Sequence, residues 1–274
     1  MRKFLGFWIG AVLLAGAIGA LVVEPGSGGQ AELVLLHRAA AFAPEVPVRA
    51  TWRMELSGDG VDDVAIDFGE MHSDPATGAF YGHFEVPDAG IQIEMVSYDP
   101  SELFVSTPAT RRPDGAPGWA HVAVSGELAQ QATAAVGFDP ETILAPLREV
   151  TDVAVSGGES VDGVDTTHYE ASISVEDFVA LNPSAPGVEQ LLSSGIEVEV
   201  TMLVDVGDDG LIRRFTVEVR APEESFTFRT TLTVHTDGVS IPPNPTAADV
   251  TSERTASTQT ELQALIQQLA LPGG

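Results

Sequence analysis

Residues 196–235 read IEVEVTMLVDVGDDGLIRRFTVEVRAPEESFTFRTTLTVH, and they carry the clearest secondary-structure pattern of the chain. Apolar and polar residues alternate along three segments, Ile196 to Val206, Leu211 to Arg220 and Ser225 to His235. A period of two puts successive side chains on opposite faces of a strand, so each segment predicts a strand with one apolar and one polar face. Asp208-Asp209-Gly210 is typical of a tight hairpin turn. Three consecutive antiparallel strands are therefore expected.

The same alternation recurs earlier in the chain. Further strands are predicted at Trp52 to Leu56, Val64 to Phe68, Phe80 to Val86, Ile91 to Met95, Leu103 to Ser106, Trp119 to Val124, Val153 to Val155 and Thr166 to Val175. A loop is expected from His72 to Gly78, and a turn from Ser160 to Gly163. About ten strands are too many for one flat sheet, which favours strong curvature or closure.

Helical spacing interrupts this pattern in a few places. Short helices are predicted from Glu32 to Phe42, from Glu127 to Val136, after the Asp139-Pro140-Glu141 cap, and from Glu176 to Ser194. Near the end of the chain, Leu262, Leu265, Ile266 and Leu269 are spaced as on one face of a helix from Thr260 to Leu271. That helix can pack back on the domain or touch a partner or membrane. The fold class is α+β, with an antiparallel sheet whose concave apolar face must be covered by helices.

The N-terminus is typical of an exported protein. Met1-Arg2-Lys3 precedes an uncharged apolar run from Phe4 to Val23, and Glu24 to Gly29 follows as a Gly-rich hinge. The run is long enough for an uncleaved transmembrane anchor with a cytoplasmic N-terminus. Cleavage after a signal peptide, at Ala20 or Ala31, is the alternative. In both cases the body is predicted to work outside the cytoplasm.

Length and composition restrict the classes of function. We expect three segments: residues 1–31 as anchor or signal, 32–245 as one domain, and 246–274 as a polar linker with an amphipathic helix. The 274-residue chain has a net charge of −27, and without Arg2 and Lys3 the body has 11 basic against 40 acidic residues. Such a field repels nucleic acid. The absence of cysteine excludes disulfides, thiolate metal sites and thiol nucleophiles.

Residue patterns for catalysis or cofactor binding are lacking. The six histidines, His37, His72, His83, His121, His168 and His235, are scattered and show no metal-binding spacing. There is no Gly-x-Ser-x-Gly elbow and no phosphate-binding glycine loop before a helix. Asp205 to Gly210 superficially suggests a calcium loop but lacks its alternating ligands, so a turn is favoured. We therefore predict a non-enzymatic protein without cofactor or metal.

Large apolar side chains on the predicted sheet faces form the candidate binding site. They either fill a core or line a lipid-sized cavity, and a sequence does not distinguish these alternatives. The candidate lining residues are Trp52, Met54, Phe68, Phe80, Phe84, Phe104, Trp119, Phe215, Phe226 and Phe228.

Three stretches resemble the actinobacterial LppX/LprAFG lipoprotein family. They are residues 137–147 (GFDPETILAPL), residues 158–169 (GESVDGVDTTHY), and Asp205 to Arg214 with its Asp-Gly-Leu-Ile-Arg-Arg hairpin. Trp119, at the start of a strand after a loop, is similar as well. The resemblance extends over about residues 32–245 and rests on structural motifs, so no catalytic residue is implied.

This resemblance implies a LolA-like half-barrel, an incompletely closed antiparallel sheet with helices on its concave face. It also implies binding or transfer of lipid or lipoglycan acyl chains in the cell envelope. Members carry a lipobox cysteine, which this chain lacks, so the N-terminal helix is the expected membrane attachment. The alternative is an envelope sensor or protein-interaction module that uses the same fold without a ligand.

Overall fold

The computed structural model describes residues 34–37, 39, 46–58, 61–86, 91–99, 101–112, 114–125, 147, 150, 153–174, 199–221 and 225–270. The strands are β1 (Val48–Gly58), β2 (Val61–Asp74), β3 (Ala79–Val86), β4 (Ile91–Asp99), β5 (Glu102–Ser106), β6 (Trp119–Val124), β7 (Ala154–Val161), β8 (Val164–Ile173), β9 (Glu199–Gly207), β10 (Ile212–Ala221), β11 (Phe226–His235) and β12 (Val250–Ala256). A 3-10 turn at Pro108–Thr110 and helix α1 (Gln259–Ala270) complete the described elements.

All twelve strands belong to one open sheet in the order β12-β6-β5-β4-β3-β2-β1-β11-β10-β9-β8-β7. Each strand from β2 to β6 pairs antiparallel with the next strand in the chain, and so does each strand from β7 to β11, as the alternating segments predict. Strand β12 is parallel to β6, which makes the sheet mixed. The prediction of an incompletely closed, mainly antiparallel sheet is confirmed, whereas a purely antiparallel sheet is wrong because the chain returns to β6 in the parallel direction.

Three local predictions need correction. Strand β12 occupies part of the segment that was expected to be a polar linker, because Val250 and Ala256 bracket a polar stretch that pairs through its backbone. His72 lies within β2 rather than in a loop, and the turn begins at Asp74, whose carboxylate accepts a hydrogen bond from the Ala76 amide. The turn between β7 and β8 is confined to Asp162 and Gly163, which adopt left-handed backbone angles.

Helical predictions have mixed outcomes. Residues 34–37 and 39 are helical, in agreement with the expected N-terminal helix, with Leu36 fully buried. The helices predicted between 127 and 147 and between 176 and 194 fall outside the described residues, apart from the single residue Leu147. The N-terminal anchor does so too. In the part of the chain that the structure describes, no helix is long and apolar enough to cross a bilayer.

The chain divides into two compact units. Unit 1 contains residues 1–43, 52–67 and 137–235, and unit 2 contains residues 44–51, 68–136 and 236–274. In unit 1, β7 to β11 form the antiparallel set, and Nε2 of the helical residue His37 donates a hydrogen bond to the Val150 carbonyl oxygen, 3.0 Å away.

In unit 2, helix α1 packs on the 3-10 turn, on β12 and on β4. Thr258 caps its first turn by accepting a hydrogen bond from the Glu261 amide, and Glu261 in turn accepts one from the Ser257 amide. Leu262, Ile266 and Ala270, four residues apart, are buried. The Thr107 hydroxyl donates to the Leu269 carbonyl at 2.8 Å. The amphipathic tail helix thus packs back on the domain.

Candidate functional site

The apolar face of unit 1 is built from cross-strand rows. Phe215 of β10 stands opposite Leu232 of β11 and Val204 of β9, and Val204 stands opposite Tyr169 of β8. These four side chains are buried, with Phe215 4% and Leu232 2% exposed. Since side chains alternate along a strand, the next rows on this face start two and four residues further along β10.

Those next rows are less covered. Val217 stands opposite Thr230 and Met202, and Val219 opposite Phe228 and Val200. In both rows, the side chains that come from β10 and β11 are half-buried, whereas Met202 and Val200 on β9 are buried. Beyond the Phe215 row, the side chains on the apolar face of β10 and β11 change from buried to half-buried up to Val219 and Phe226, whereas Ala221 at the end of β10 is 4% exposed.

Strand β1 extends the same face. It neighbours β11 in the sheet, the Glu55 carboxylate lies 3.6 Å from Arg229, and Gly58 lies against the backbone of Phe226. Glu55 shares the polar side with Arg229, so alternation puts Trp52 and Met54 on the apolar side. Trp52 is buried, and Met54 is half-buried. The gradient seen on β10 and β11 is repeated on β1.

Charged groups gather at the well-covered end of unit 1. The Asp162 carboxylate, on the turn between β7 and β8, lies 2.5 Å from His235 Nδ1 at the end of β11. Three strand spacings of about 4.8 Å separate β8 from β11 in a flat sheet. The pair therefore indicates that the sheet of unit 1 bends at this end. Arg213, 7% exposed, pairs there with Asp209.

The polar face of unit 1 carries two buried carboxylates. Asp205 receives hydrogen bonds from Arg214 Nε at 2.6 Å and from His168 Nδ1 at 2.8 Å. Desolvation lowers the pKa of Arg214, but the hydrogen bonds and charges of Asp205 and Glu159 outweigh it and raise that pKa. The Asp205 carboxylate is thus part of an ion-pair network, and it is not available as a calcium ligand.

Glu218 is the second buried carboxylate, at 2% exposure. It pairs with Arg229 and Arg220, which flank it on the polar face. Arg229 also faces Glu55, and Arg53 joins Glu55 to Asp67. In this network, the carboxylates of Glu218, Glu55 and Asp67 are each paired with an arginine on the polar face of unit 1. It is structural, because each carboxylate is satisfied by a cation.

The apolar face of unit 2 is closely packed. The rings of Phe80 and Phe84 lie over glycines: a Cβ on Gly82 would come within 2.8 Å of Phe84 and 3.1 Å of Phe80. A Cβ on Gly69 would come within 2.4 Å of Phe84. The buried neighbours on this face are Met71, Ile91, Ile93, Met95, Leu103, Val105, Ala120 and Val122. Glycines here make room for aromatic rings.

Nine of the ten candidate lining residues lie on three surfaces of the structure. Trp52, Met54, Phe215, Phe226 and Phe228 share the apolar face of unit 1. Phe80 and Phe84 belong to the apolar face of unit 2.

Phe104 and Trp119 lie on the opposite, polar face of unit 2. Phe104 stands opposite Val96 and His121 in the strand register, and its ring stacks on His121 with centroids 4.8 Å apart. Trp119 has the same parity as His121 on β6 and is half-buried. Phe68 lies in β2, and its side chain is outside the described residues.

The lining residues predicted from sequence do not include the aliphatic residues on the apolar face of unit 1. Val200, Met202, Val217 and Val219 stand in the same rows as Phe228 and Thr230. The signal that identifies them is the alternation in residues 196–235, read across paired strands. Among the described residues, no group of three or more His, Asp or Glu side chains is arranged to hold a metal ion.

No protein-family model matches the chain, and no curated protein matches it. Among solved structures, the chain is similar to the lipoprotein LppX of Mycobacterium tuberculosis, with 16% identity, a TM-score of 0.45, and coverage of 79% of this chain and 100% of the other. It is similar to LprF of Mycobacterium bovis, with 15% identity, a TM-score of 0.48, and coverage of 81% and 100%.

A LolA superfamily protein of Nitrosomonas europaea is similar with 10% identity, a TM-score of 0.28, and coverage of 80% of this chain and 96% of the other. LppX and LprF carry the names of the family that the sequence resembles.

Proposed function

We propose that this protein binds the acyl chain of a lipid or lipoglycan on the apolar face of unit 1, outside the cytoplasm and without covalent chemistry. The observation that carries the proposal is the exposure gradient of that face. Phe215 and Leu232 are buried, whereas Phe228, Phe226 and Met54 are half-buried. Half-buried aromatic and thioether side chains on a sheet face offer an apolar ligand a surface from which it displaces water.

The gradient also gives the ligand a direction. From Phe215 to Ala221 the face extends over six residues, or roughly 20 Å at about 3.3 Å per residue. The Asp162 carboxylate and His235 Nδ1, 2.5 Å apart, lie beyond Phe215 at the covered end and form the polar limit of the apolar face. We infer that the chain tail points toward Phe215 and that the polar head group stays near Phe226.

Hydrophobic burial is sufficient for useful affinity. Removing about 300 Å² of apolar surface from water contributes roughly 7 kcal/mol at 25 cal/mol per Å². Part of this is offset by the lost freedom of the ligand. The face needs no charged contact to hold an acyl chain, which suits a strongly acidic protein that repels anionic head groups.

Binding of a fluorescent fatty acid tests the proposal. Phe228→Glu places a carboxylate in the half-buried row, and we expect it to weaken binding at least tenfold because the charge must be desolvated beside the acyl chain. Val46→Glu, at a residue that is 44% exposed in unit 2, is the matched control and should bind as the wild type does. Equal affinities for all three proteins would contradict the proposal.

A further inference from the structure

An extended segment crosses the polar face of unit 2. We call residues 236–249, which connect β11 to β12, the strap. The sheet order places β1 to β6 between these two strands, so the strap must pass over them. Gly238 lies near Arg49 of β1, the Ser240 amide contacts His72 of β2, and Tyr98 of β4 contacts Pro242. The strap therefore runs along the polar side of the sheet.

The N-terminal half of the strap, residues 236–243, is held to the sheet by two hydrogen bonds. The Ser240 amide donates a hydrogen bond to His72 Nδ1 at 3.1 Å, and the Tyr98 hydroxyl donates to the Pro242 carbonyl. Three prolines, at positions 242, 243 and 245, cannot donate backbone hydrogen bonds. At the far end of the strap, the Asp249 carbonyl accepts a hydrogen bond from the Trp119 amide at 2.9 Å, and the Asp249 carboxylate pairs with Arg112. The contact at His72 therefore holds the N-terminal half of the strap, residues 236–243.

The geometry fixes the protonation of His72. A backbone amide is always a donor, so Nδ1 must accept, and the single imidazole proton must be on Nε2. The Nε2 atom lies 3.5 Å from a Glu70 oxygen. The ring is 4% exposed and lies between a donor on one side and a carboxylate on the other. The hydrogen bond from the Ser240 amide therefore exists only while Nδ1 carries no proton.

We propose that the N-terminal half of the strap is a pH-sensitive latch, which is released when His72 takes up a second proton, while Asp249 stays attached to Trp119 and Arg112. That proton would occupy Nδ1 and face the Ser240 amide, so that two donors oppose each other and the hydrogen bond is lost. The latch is closed while Nδ1 is unprotonated, and it opens when Nδ1 gains a proton as the pH falls.

The charged groups around His72 make this transition possible. Glu70, on β2, is placed to stabilise the imidazolium through Nε2. Arg49, on β1, lies 3.9 Å from Glu70 and opposes a further positive charge. Tyr81, on β3, has its ring centroid 5.7 Å from that of His72, and burial followed by the charges of Glu94 and Glu70 raises its pKa to about 12. Tyr81 therefore stays neutral throughout. Asp237 is the titratable residue of the strap closest in sequence to Ser240.

Amide hydrogen exchange in the full-length protein tests the latch. Exchange at Ser240 is compared at pH 7.5 and pH 5.0 after correction for intrinsic rates. We expect protection to fall about tenfold at pH 5.0 in the wild type, the factor that corresponds to one lost hydrogen bond. His72→Asn keeps an acceptor near the position of Nδ1 but does not titrate, so its protection should be the same at both pH values.

Two controls separate the latch from general loosening. His83→Asn removes another imidazole from the same face, between Glu85 and Glu94, and should respond to pH as the wild type does. Tyr98→Phe removes the other hydrogen bond of the N-terminal half of the strap and should lower its protection equally at both pH values.

Unchanged protection of Ser240 in the wild type at pH 5.0 would overturn the proposal, as would a pH response of His72→Asn equal to that of the wild type. If His72→Asn does not fold, nitrogen chemical shifts of His72 in the wild type decide the matter. The proposal requires an Nε2–H tautomer at pH 7.5 and a titration midpoint that coincides with the loss of Ser240 protection. A protonated Nδ1 at pH 7.5, or midpoints that differ, would overturn it.

Discussion

The apolar faces of the two units are built from the same kind of strand but are covered differently. In unit 2, Phe80, Phe84 and Met95 are at most 4% exposed, and α1 packs beside them on β4. In unit 1, burial at Phe215 gives way to half-buried Phe228 and Met54. An alternating sequence therefore produces a strand with an apolar face. The elements that pack against this face determine whether it is a buried core or a surface that can bind a ligand.

The largest difference is expected from truncating one phenylalanine in each unit. Phe84→Ala should cost roughly 3–5 kcal/mol of unfolding free energy, because it leaves a cavity where the ring lay against Gly69 of β2 and Gly82 of β3. Phe228→Ala should cost on the order of 1 kcal/mol, because less of its surface is removed from water. Urea unfolding measures both. Equal losses would show that the two faces are packed alike.

A smaller effect is expected from adding a methyl group to a glycine. In Gly69→Ala the new Cβ would lie 2.4 Å from the Phe84 ring and 2.5 Å from the His83 carbonyl oxygen, so the strand must shift. The cost should be about 1–3 kcal/mol. Gly157→Ala in unit 1 is the control, because nothing lies within 4 Å of its added Cβ. If Gly69→Ala were as stable as its control, the close packing of unit 2 would be disproved.

The smallest effect concerns Tyr81, on the polar face of unit 2. Burial, then the charges of Glu94 and Glu70, raises its pKa to about 12. The folded protein therefore keeps a proton that the unfolded chain releases near pH 10, and the stability due to this group is complete below pH 10 and lost as the pH rises toward 12. Tyr81→Phe should lose less stability between pH 9.5 and 11 than the wild type. An identical pH dependence would argue against this burial.

Much of the sheet could be predicted from sequence. The period of two located β9, β10 and β11 within about three residues, because alternation and the Asp-Asp-Gly turn act locally. Strand β12 was missed because Thr251 to Thr255 are polar and the strand is held by backbone pairing with β6 at an edge. A local sequence pattern does not indicate pairing with a parallel strand that lies more than a hundred residues away in the chain.

The candidate site was only partly predictable. Trp52, Phe215 and Phe228 were selected for size, and the strand register places them on one face. Phe104 was selected for the same reason but lies on the polar face of its unit, stacked on His121. Which face an aromatic residue occupies depends on the register across several strands, and a shift by one residue reverses it.

Methionine methyl groups provide the most direct test of the central claim. The chain has five methionines, of which Met54 and Met202 lie in unit 1, and Met71 and Met95 are buried in unit 2. NMR spectra of methyl-labelled methionine are recorded with a spin-labelled fatty acid. The account predicts strong broadening of Met54, weaker broadening of Met202, and none of Met71 or Met95. Broadening of Met71 and Met95 with Met54 unaffected would contradict it.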